Sequence, residues 1–166
     1  RHLSTAPEPS VPRIAHALEV IDRQSTKLGS LVSQLLDVSR LETDHLTLDL
    51  AETDLVSLVD GVVRMARLNA PDHEIVLTVP EPVMAVVDAP RLEQVIVNLM
   101  DNAAKFSPGG TRIDVSVTSL ESDAVEIVVA DQGSGISAEH LPHVFERAYQ
   151  GGEVQRTAGL GLGLYI

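Results

Sequence analysis

Asn98-Leu99-Met100-Asp101-Asn102-Ala103-Ala104-Lys105-Phe106-Ser107 closes an apolar helix with residues that do not suit a plain core-facing surface. Leu92, Val95, Ile96 and Leu99 recur at helical spacing before and through it. Asp88 stands ready as the cap, and Pro90 suits a first helical position, where φ is preset and the N–H has no partner. The spacing predicts a helix over 90–106. Asn98 and Asn102 lie four apart and share a face, with Lys105 three beyond. Buried amides need partners. A divalent cation that takes oxygen ligands, such as Mg²⁺, and a phosphate would supply them. Structural amides would account for the same residues.

Outward from this helix the pattern is α/β. Ile113, Val115 and Val117 alternate, a turn at Glu121-Ser122-Asp123 follows, and Val125, Ile127 and Val129 alternate back, which predicts an antiparallel hairpin. Upstream, Leu46-Thr47-Leu48-Asp49-Leu50 alternates like a strand. Thr53 or Asp54 can cap a helix through about Leu68, with Leu55, Leu58, Val59, Val62 and Met65 on one face. Short strands are predicted at 74–79 and 83–87. Asp131-Gln132-Gly133-Ser134-Gly135-Ile136 directly follows the hairpin. An ionised Asp only accepts, so Asp131 suits a donor such as an exocyclic amine. Gly133 and Gly135 would let backbone approach a flat ligand, and an ordinary strand-end turn would use the same residues. Residues 132–158 read as a long loop of the functional kind.

Residues 1–12, with Pro7, Pro9 and Pro12, read as a linker. From Arg13 a heptad seam runs through Ile14, Leu18, Ile21, Ser25, Leu28, Val32 and Leu35, widened by Leu31 and Leu36. A helix over 13–43 would be about 45 Å long. It cannot bury its stripe alone, so a partner helix is expected, from a symmetric or antiparallel dimer. The chain ends on Gly-Leu-Gly-Leu-Gly-Leu-Tyr-Ile, which reads as a cut inside an element of a longer protein.

Composition narrows the classes. With no Cys, disulfides, thiol nucleophiles and zinc–thiolate sites are excluded. Aromatics are 2%, so the core must be aliphatic. A net charge of −12 argues against nucleic acid as a partner. No uncharged apolar run is long enough to span a bilayer, so no direct membrane contact is expected. His140 and His143, three apart, could pair on a metal, but nothing at typical spacing completes that site. His16, His45 and His73 read as surface. The phosphate motifs of Walker and Rossmann type are absent: there is no Gly-Lys pair, and Gly159, Gly161 and Gly163 lack the third Rossmann spacing. Such glycines can still present N–H groups to an anion at a helix start, or be plain flexible turns.

In order, Asn-x-x-x-Asn-Ala-x-Lys-Phe-Ser (98–107), Asp-x-Gly-x-Gly-Ile (131–136), Phe-Glu-Arg-Ala-Tyr (145–149) and Gly-Leu-Gly-Leu-Gly-Leu (159–164) resemble the N, G1, F and G2 boxes of sensor histidine kinases, within the wider gyrase–chaperone–kinase–MutL group. The four-box resemblance covers about 46–166. Residues 13–45, ending Leu-Leu-Asp-Val-Ser-Arg-Leu-Glu, resemble the second helix of that family's dimerisation and phosphotransfer hairpin. The resemblance implies an α+β fold, a two-layer α/β sandwich of Bergerat type with a mixed, mostly antiparallel sheet, preceded by a long bundle helix. The implied organisation is a linker at 1–12, the bundle helix at 13–45 and a C-terminally truncated ATP-binding domain at 46–166.

The resemblance also implies an activity, transfer of the ATP γ-phosphoryl group to a histidine on the dimerisation domain for relay to a response regulator Asp. The cofactors would be ATP and Mg²⁺. Asp131 would accept from the adenine amine, with Gly133, Gly135 and Ile136 beside it. Asn102 would ligate Mg²⁺, and Asn98 and Lys105 would reach the phosphates. Phe145 and Arg147 would belong to a lid over 137–158, and Gly159, Leu160, Gly161, Leu162 and Gly163 would offer backbone donors. The implied partners are a second copy through 13–43 and a response regulator receiver domain. The implied location is the cytoplasm, with an inner-membrane anchor open to the parent protein. The family's phosphoacceptor motif, His-Glu-Leu-Arg-x-Pro, has no match here. His16 precedes Ala-Leu-Glu instead. The rivals are an ATP-hydrolysing gyrase, chaperone or MutL type of module, a serine-directed anti-sigma kinase, and a non-catalytic dimerisation or nucleotide-sensing module. The hydrolysing relatives carry Glu where this chain has Asn98, and an amide cannot act as a general base.

Overall fold

The computed structural model describes residues 14, 17, 18, 20–22, 24, 25, 28, 29, 32, 36, 38, 39, 47–121, 124–149 and 161–165. The linker 1–12, His16, the stripe positions Leu31 and Leu35, the turn residues Ser122 and Asp123, and Gly159 and Leu160 lie outside them. The chain divides into two compact units, Arg1–Leu46 and Thr47–Ile166.

In the first unit every described residue from 14 to 39 is helical. Ile14, Leu18, Ile21, Leu28 and Val32 stand 44–63% exposed on it, so the described part of the heptad stripe lies open.

The second unit is built from β1 (Ala51–Asp54), α1 (Leu55–Asn69), β2 (Glu74–Thr78), β3 (Met84–Val87), α2 (Ala89–Phe106), β4 (Arg112–Ser119) and β5 (Val125–Ala130). The strands form two sheets, β1-β3 and β2-β4-β5. The pairings are antiparallel except β2 with β4, which is parallel. The fold is therefore α+β and mostly antiparallel, with its strands shared between two sheets.

Local chemistry sets the helix ends. Asp54 caps α1, its Oδ1 accepting from Val56 N at 3.0 Å and Ser57 N at 3.2 Å, and its Oδ2 from Ser57 Oγ at 2.6 Å. Asp88 caps α2 by accepting from Arg91 N at 3.1 Å, and Pro90 occupies the first turn. Ser107 ends α2 and Pro108 follows, which cannot continue a helix. The predicted strand at 46–50 is not found over its described residues, 47–50; Leu46 lies outside them. Residues 47–50 belong to no strand, and Leu48 and Leu50 are 55% and 57% exposed. Asp49 N donates to Asp88 Oδ2 at 3.0 Å instead of to a neighbouring strand, so pairing begins at Ala51. The alternating leucines had implied a buried face that this segment does not have.

The core is aliphatic, as composition required. Leu55, Val59, Val62 and Val63 of α1 and Ile96, Met100 and Ala103 of α2 cover Ile113, Val115 and Val117 of β4, with Ile75 from β2. Ile113 and Val117 are 0% exposed. Ile113→Ala should destabilise the chain by about 2–5 kcal/mol, the usual range for such a cavity. Urea unfolding checks this. A midpoint equal to that of the unmutated chain would contradict it.

The two caps also give the fold a pH dependence. The hydrogen bond from the Ser57 hydroxyl, with that from Ser57 N, holds the Asp54 carboxyl below the ordinary Asp value of 3.8. The bond from Asp49 N, then that from Arg91 N, does the same for Asp88. A depressed folded value gives stability that is complete above the unfolded value and is lost as pH falls through the folded one. Asp54→Asn with Asp88→Asn should therefore be less stable than the unmutated chain at neutral pH. That gap should close as pH falls below about 4. Denaturant titrations across this range check it, and a gap independent of pH would contradict it.

Candidate functional site

The predicted polar residues converge on the C-terminal half of α2. Asn98 and Asn102 are half-buried on it and Lys105 is exposed in its last turn. Asn98 Nδ2 donates to Gly163 O at 3.0 Å, across 65 positions of sequence. The amide nitrogen thus holds the glycine turn, and the amide oxygen takes no part in that bond. The Lys105 ammonium lies 4.6 Å from the centre of the Phe106 ring. Asp101, between the two asparagines, is exposed as a residue. Its carboxyl is nonetheless desolvated by the surrounding protein, which raises it above the ordinary Asp value.

Asp131 follows β5 directly. Its Oδ1 accepts from Gly133 N at 2.7 Å and lies 3.4 Å from Ser107 Oγ, next to the end of α2. Among the described residues nothing bonds its Oδ2, and Asp131 is exposed. Gly133 is required here for a reason the sequence reading missed. A Cβ there would stand 2.8 Å from Phe106 O and 2.7 Å from Asp131 Oδ1. The glycine first lets this turn pack on α2, before any ligand is considered. Gly135 has φ +71° with open space around it. Ile136 is 52% exposed beside it.

The glycine turn at 161–163 packs against the segment after the 3₁₀ turn Leu141–His143. Gly161 has φ +68°, and a Cβ on it would meet Tyr149 O at 2.7 Å and Ala148 C at 2.8 Å. Leu162 is 5% exposed, so it can offer a ligand only backbone. Phe145 is 68% exposed. Arg147 is exposed and already engaged by other groups of the protein.

His140 and His143, considered above as a metal pair, flank Tyr149 instead. His140 Nδ1 lies 2.7 Å from the Tyr149 hydroxyl, and His143 Nδ1 lies 2.7 Å from Glu146 Oε1. Among the described residues no cluster of three or more His, Asp or Glu can hold a metal ion. Phe106, Ser107 and Tyr149 lie inside the motifs quoted above but have no role of their own there, and His140 is weighed there only as half of a metal pair. Nothing in the spacing of His140 and Tyr149, nine apart in a loop, gave them a shared face.

The assembled chemistry has two ends. Asp131 presents an acceptor for a donor such as an amine. Two amide oxygens, a lysine and the N–H groups of a glycine turn suit anionic oxygens and a cation that accompanies them.

A family model described as histidine kinase-, DNA gyrase B-, and HSP90-like ATPase matches residues 87–166. The chain is 32% identical over 158 residues to the hybrid signal transduction histidine kinase D of Dictyostelium discoideum. That alignment covers 90% of this chain and 10% of the relative, so the chain spans about a tenth of its length. The mycobacterial sensor histidine kinase MprB superposes with a TM-score of 0.63 at 32% identity, over 70% of this chain and 74% of that one. Full-length ShkA in complex with AMPPNP superposes with a TM-score of 0.74 at 26% identity, over 96% of this chain and 33% of that one.

The glycine geometry is testable alone. Gly161→Ala forces a side chain into a left-handed backbone and against Tyr149 O, and should destabilise by about 1–3 kcal/mol. Gly61→Ala, inside α1 with nothing within 4 Å, should stabilise by about 0.5–1 kcal/mol. Thermal melts compare the two, and equal shifts would contradict the packing described.

Proposed function

We propose, from the premise that the chain belongs to the sensor histidine kinase family, that residues 46–166 bind ATP with Mg²⁺ and present its γ-phosphoryl group to a histidine of the dimerisation bundle. The observation that carries this reading is the convergence on one half-helix of the Asp131 acceptor, the Asn98 and Asn102 amides, Lys105 and the 161–163 turn.

In this reading Asp131 Oδ2 accepts from the adenine amine while Gly133 N and Ser107 hold its other oxygen in place. Gly135, with open space at φ +71°, and exposed Ile136 lie along the base. Lys105 and the N–H groups of 161–163 face the phosphates, and Arg147 and Phe145 stand at the segment that borders them. Gly159 and Leu160 would extend that set of donors. The donor set also fits Mg²⁺. That ion keeps several waters and takes few protein oxygens when phosphate supplies the rest, so one or two amide oxygens suffice and no carboxylate cage is needed. Asn102 would hold it, with Asn98 Oδ1 the next oxygen on the same face. The ion would neutralise charge on the phosphates. What remains for the protein is positioning and electrostatics, which is what phosphoryl transfer demands. A neutral imidazole nitrogen would attack the γ-phosphorus, the bond to the β–γ bridging oxygen would break, and ADP would leave.

The hydrolytic alternative is disfavoured by Asn98, whose amide nitrogen is committed to Gly163 O and whose side chain has no basic site. The open stripe of Ile14, Leu18, Ile21, Leu28 and Val32 supports a homodimer through 13–43, because burial of each such side chain is worth about 1.5–3 kcal/mol. The phosphohistidine would pass its group to a receiver-domain Asp. A domain that uses ATP in this way would work in the cytoplasm. Among the described residues no helix is long and apolar enough to cross a membrane.

Two substitutions separate the roles. Asp131→Asn replaces an acceptor by a group that can turn a donor toward the adenine amine. It should weaken ATP and adenosine alike, at least about tenfold. Asn102→Ala should weaken ATP in the presence of Mg²⁺ and spare metal-free adenosine. Calorimetric titrations of both ligands, with and without Mg²⁺, check this. Normal ATP binding by Asp131→Asn, or equal loss of adenosine and ATP by Asn102→Ala, would overturn the assignment at that residue.

A further inference from the structure

Ala148 has φ +56°, a left-handed backbone that alanine seldom adopts. Such a conformation persists where its surroundings hold it. Two contacts do so here. On one side, Gly161 packs so closely that a Cβ would meet Ala148 C and Tyr149 O. On the other, the Tyr149 side chain turns back to His140, hydroxyl to Nδ1 at 2.7 Å, with the rings 6.0 Å apart and the His143 ring 5.5 Å from Tyr149 on centroids. Between them the backbone is stitched locally. His143 N donates to His140 O at 3.0 Å, Glu146 N to His143 O at 2.9 Å and Tyr149 N to Glu146 O at 3.3 Å.

We propose that the Tyr149–His140 pair is a clasp that closes segment 140–149 on itself and seats it against the glycine turn held by Asn98, and that this clasp sets how long a nucleoside triphosphate stays bound. The connection is continuous: Asn98 holds Gly163, Gly161 carries the backbone of Ala148 and Tyr149, and Tyr149 is tied to His140. Tyr149 and His140 act through the turn and are positioning residues. A tyrosine hydroxyl can donate or accept, so the pair survives either ring tautomer and ring protonation. Glu146, bonded to His143, and the neighbouring Glu139 and Arg147 are the other charged groups of the segment. The clasp therefore needs no particular charge state of His140.

The inference rests on the proposed ATP site, so its test has one arm that needs no nucleotide. The 166-residue chain is compared as Tyr149→Phe, His140→Leu, the double variant and His140→Gln, whose amide can still meet the hydroxyl. In the first arm, hydrogen exchange without nucleotide should be faster at the Glu146 and Tyr149 amides in both single variants, no faster again in the double, and near the unmutated rate in His140→Gln. In the second arm, release of methylanthraniloyl-ATP with Mg²⁺ should quicken about three- to tenfold in the single variants. His140→Gln should restore it, and adenosine affinity should stay within about twofold. Unchanged exchange and unchanged release in the single variants would overturn the clasp. Faster exchange with unchanged release would overturn its role in residence time. An unmutated chain that captures no analogue would overturn the ATP reading and the residence-time claim together, leaving the exchange arm to decide whether the clasp itself exists.

Discussion

Asn98 Nδ2 donates to Gly163 O at 3.0 Å, and the site takes its shape from that bond. It ties a turn near the end of the chain to a helix 65 positions earlier, on the same face that carries Asn102. Both partners are partly shielded from water, so each would lose a partner if the other moved. The turn it secures packs Gly161 against Ala148 and Tyr149. The C-terminal end of α2, two turns on, reaches the second half of the site, where Phe106 O lies against Gly133 and Ser107 Oγ against Asp131. Helix α2 is in turn fixed by its buried side, Ile96, Met100 and Ala103, set in the aliphatic core. The amphipathic pattern of one helix thereby positions the Asp131 acceptor and the 161–163 turn together.

The chain carries −12 overall, an unhelpful background for an anion. The local arrangement answers it with Lys105, the backbone donors of the glycine turn and amide oxygens suited to a hard cation. Amides in place of carboxylates at 98 and 102 add no negative charge to this face of α2. Under the proposed function, the same choice leaves position 98 without the general base that hydrolysis would use.

Much of this was legible in the sequence because it depends on local spacing. The apolar period of α1 and α2, the capping Asp54 and Asp88, and the alternation of Ile113, Val115 and Val117 each read correctly to within a residue or two. The four motifs were legible because their residue types are unusual in their settings. Residues 47–50 misread because alternation reports a two-sided pattern but not which side is covered, and here Asp88 takes the Asp49 N–H that a strand would have paired. The reason for Gly133 was hidden, since it is a backbone atom of Phe106 brought near by the fold. The Asn98–Gly163 and Tyr149–His140 bonds were hidden likewise, because their residue types have many possible partners and only tertiary structure chooses one.

The most direct measurement is an amide NMR titration that follows the side-chain NH₂ signals of Asn98 and Asn102 and the backbone N–H of Gly133. With Mg²⁺ and a non-hydrolysable ATP analogue all three should shift together and saturate at one affinity. With adenosine alone only Gly133 should move strongly. The Asn98 NH₂ should keep the slow exchange of a hydrogen-bonded donor throughout, because Gly163 O holds it with or without ligand. Saturable shifts confined to residues away from the C-terminal half of α2, or an Asn98 NH₂ that exchanges as freely as an exposed amide, would contradict the account.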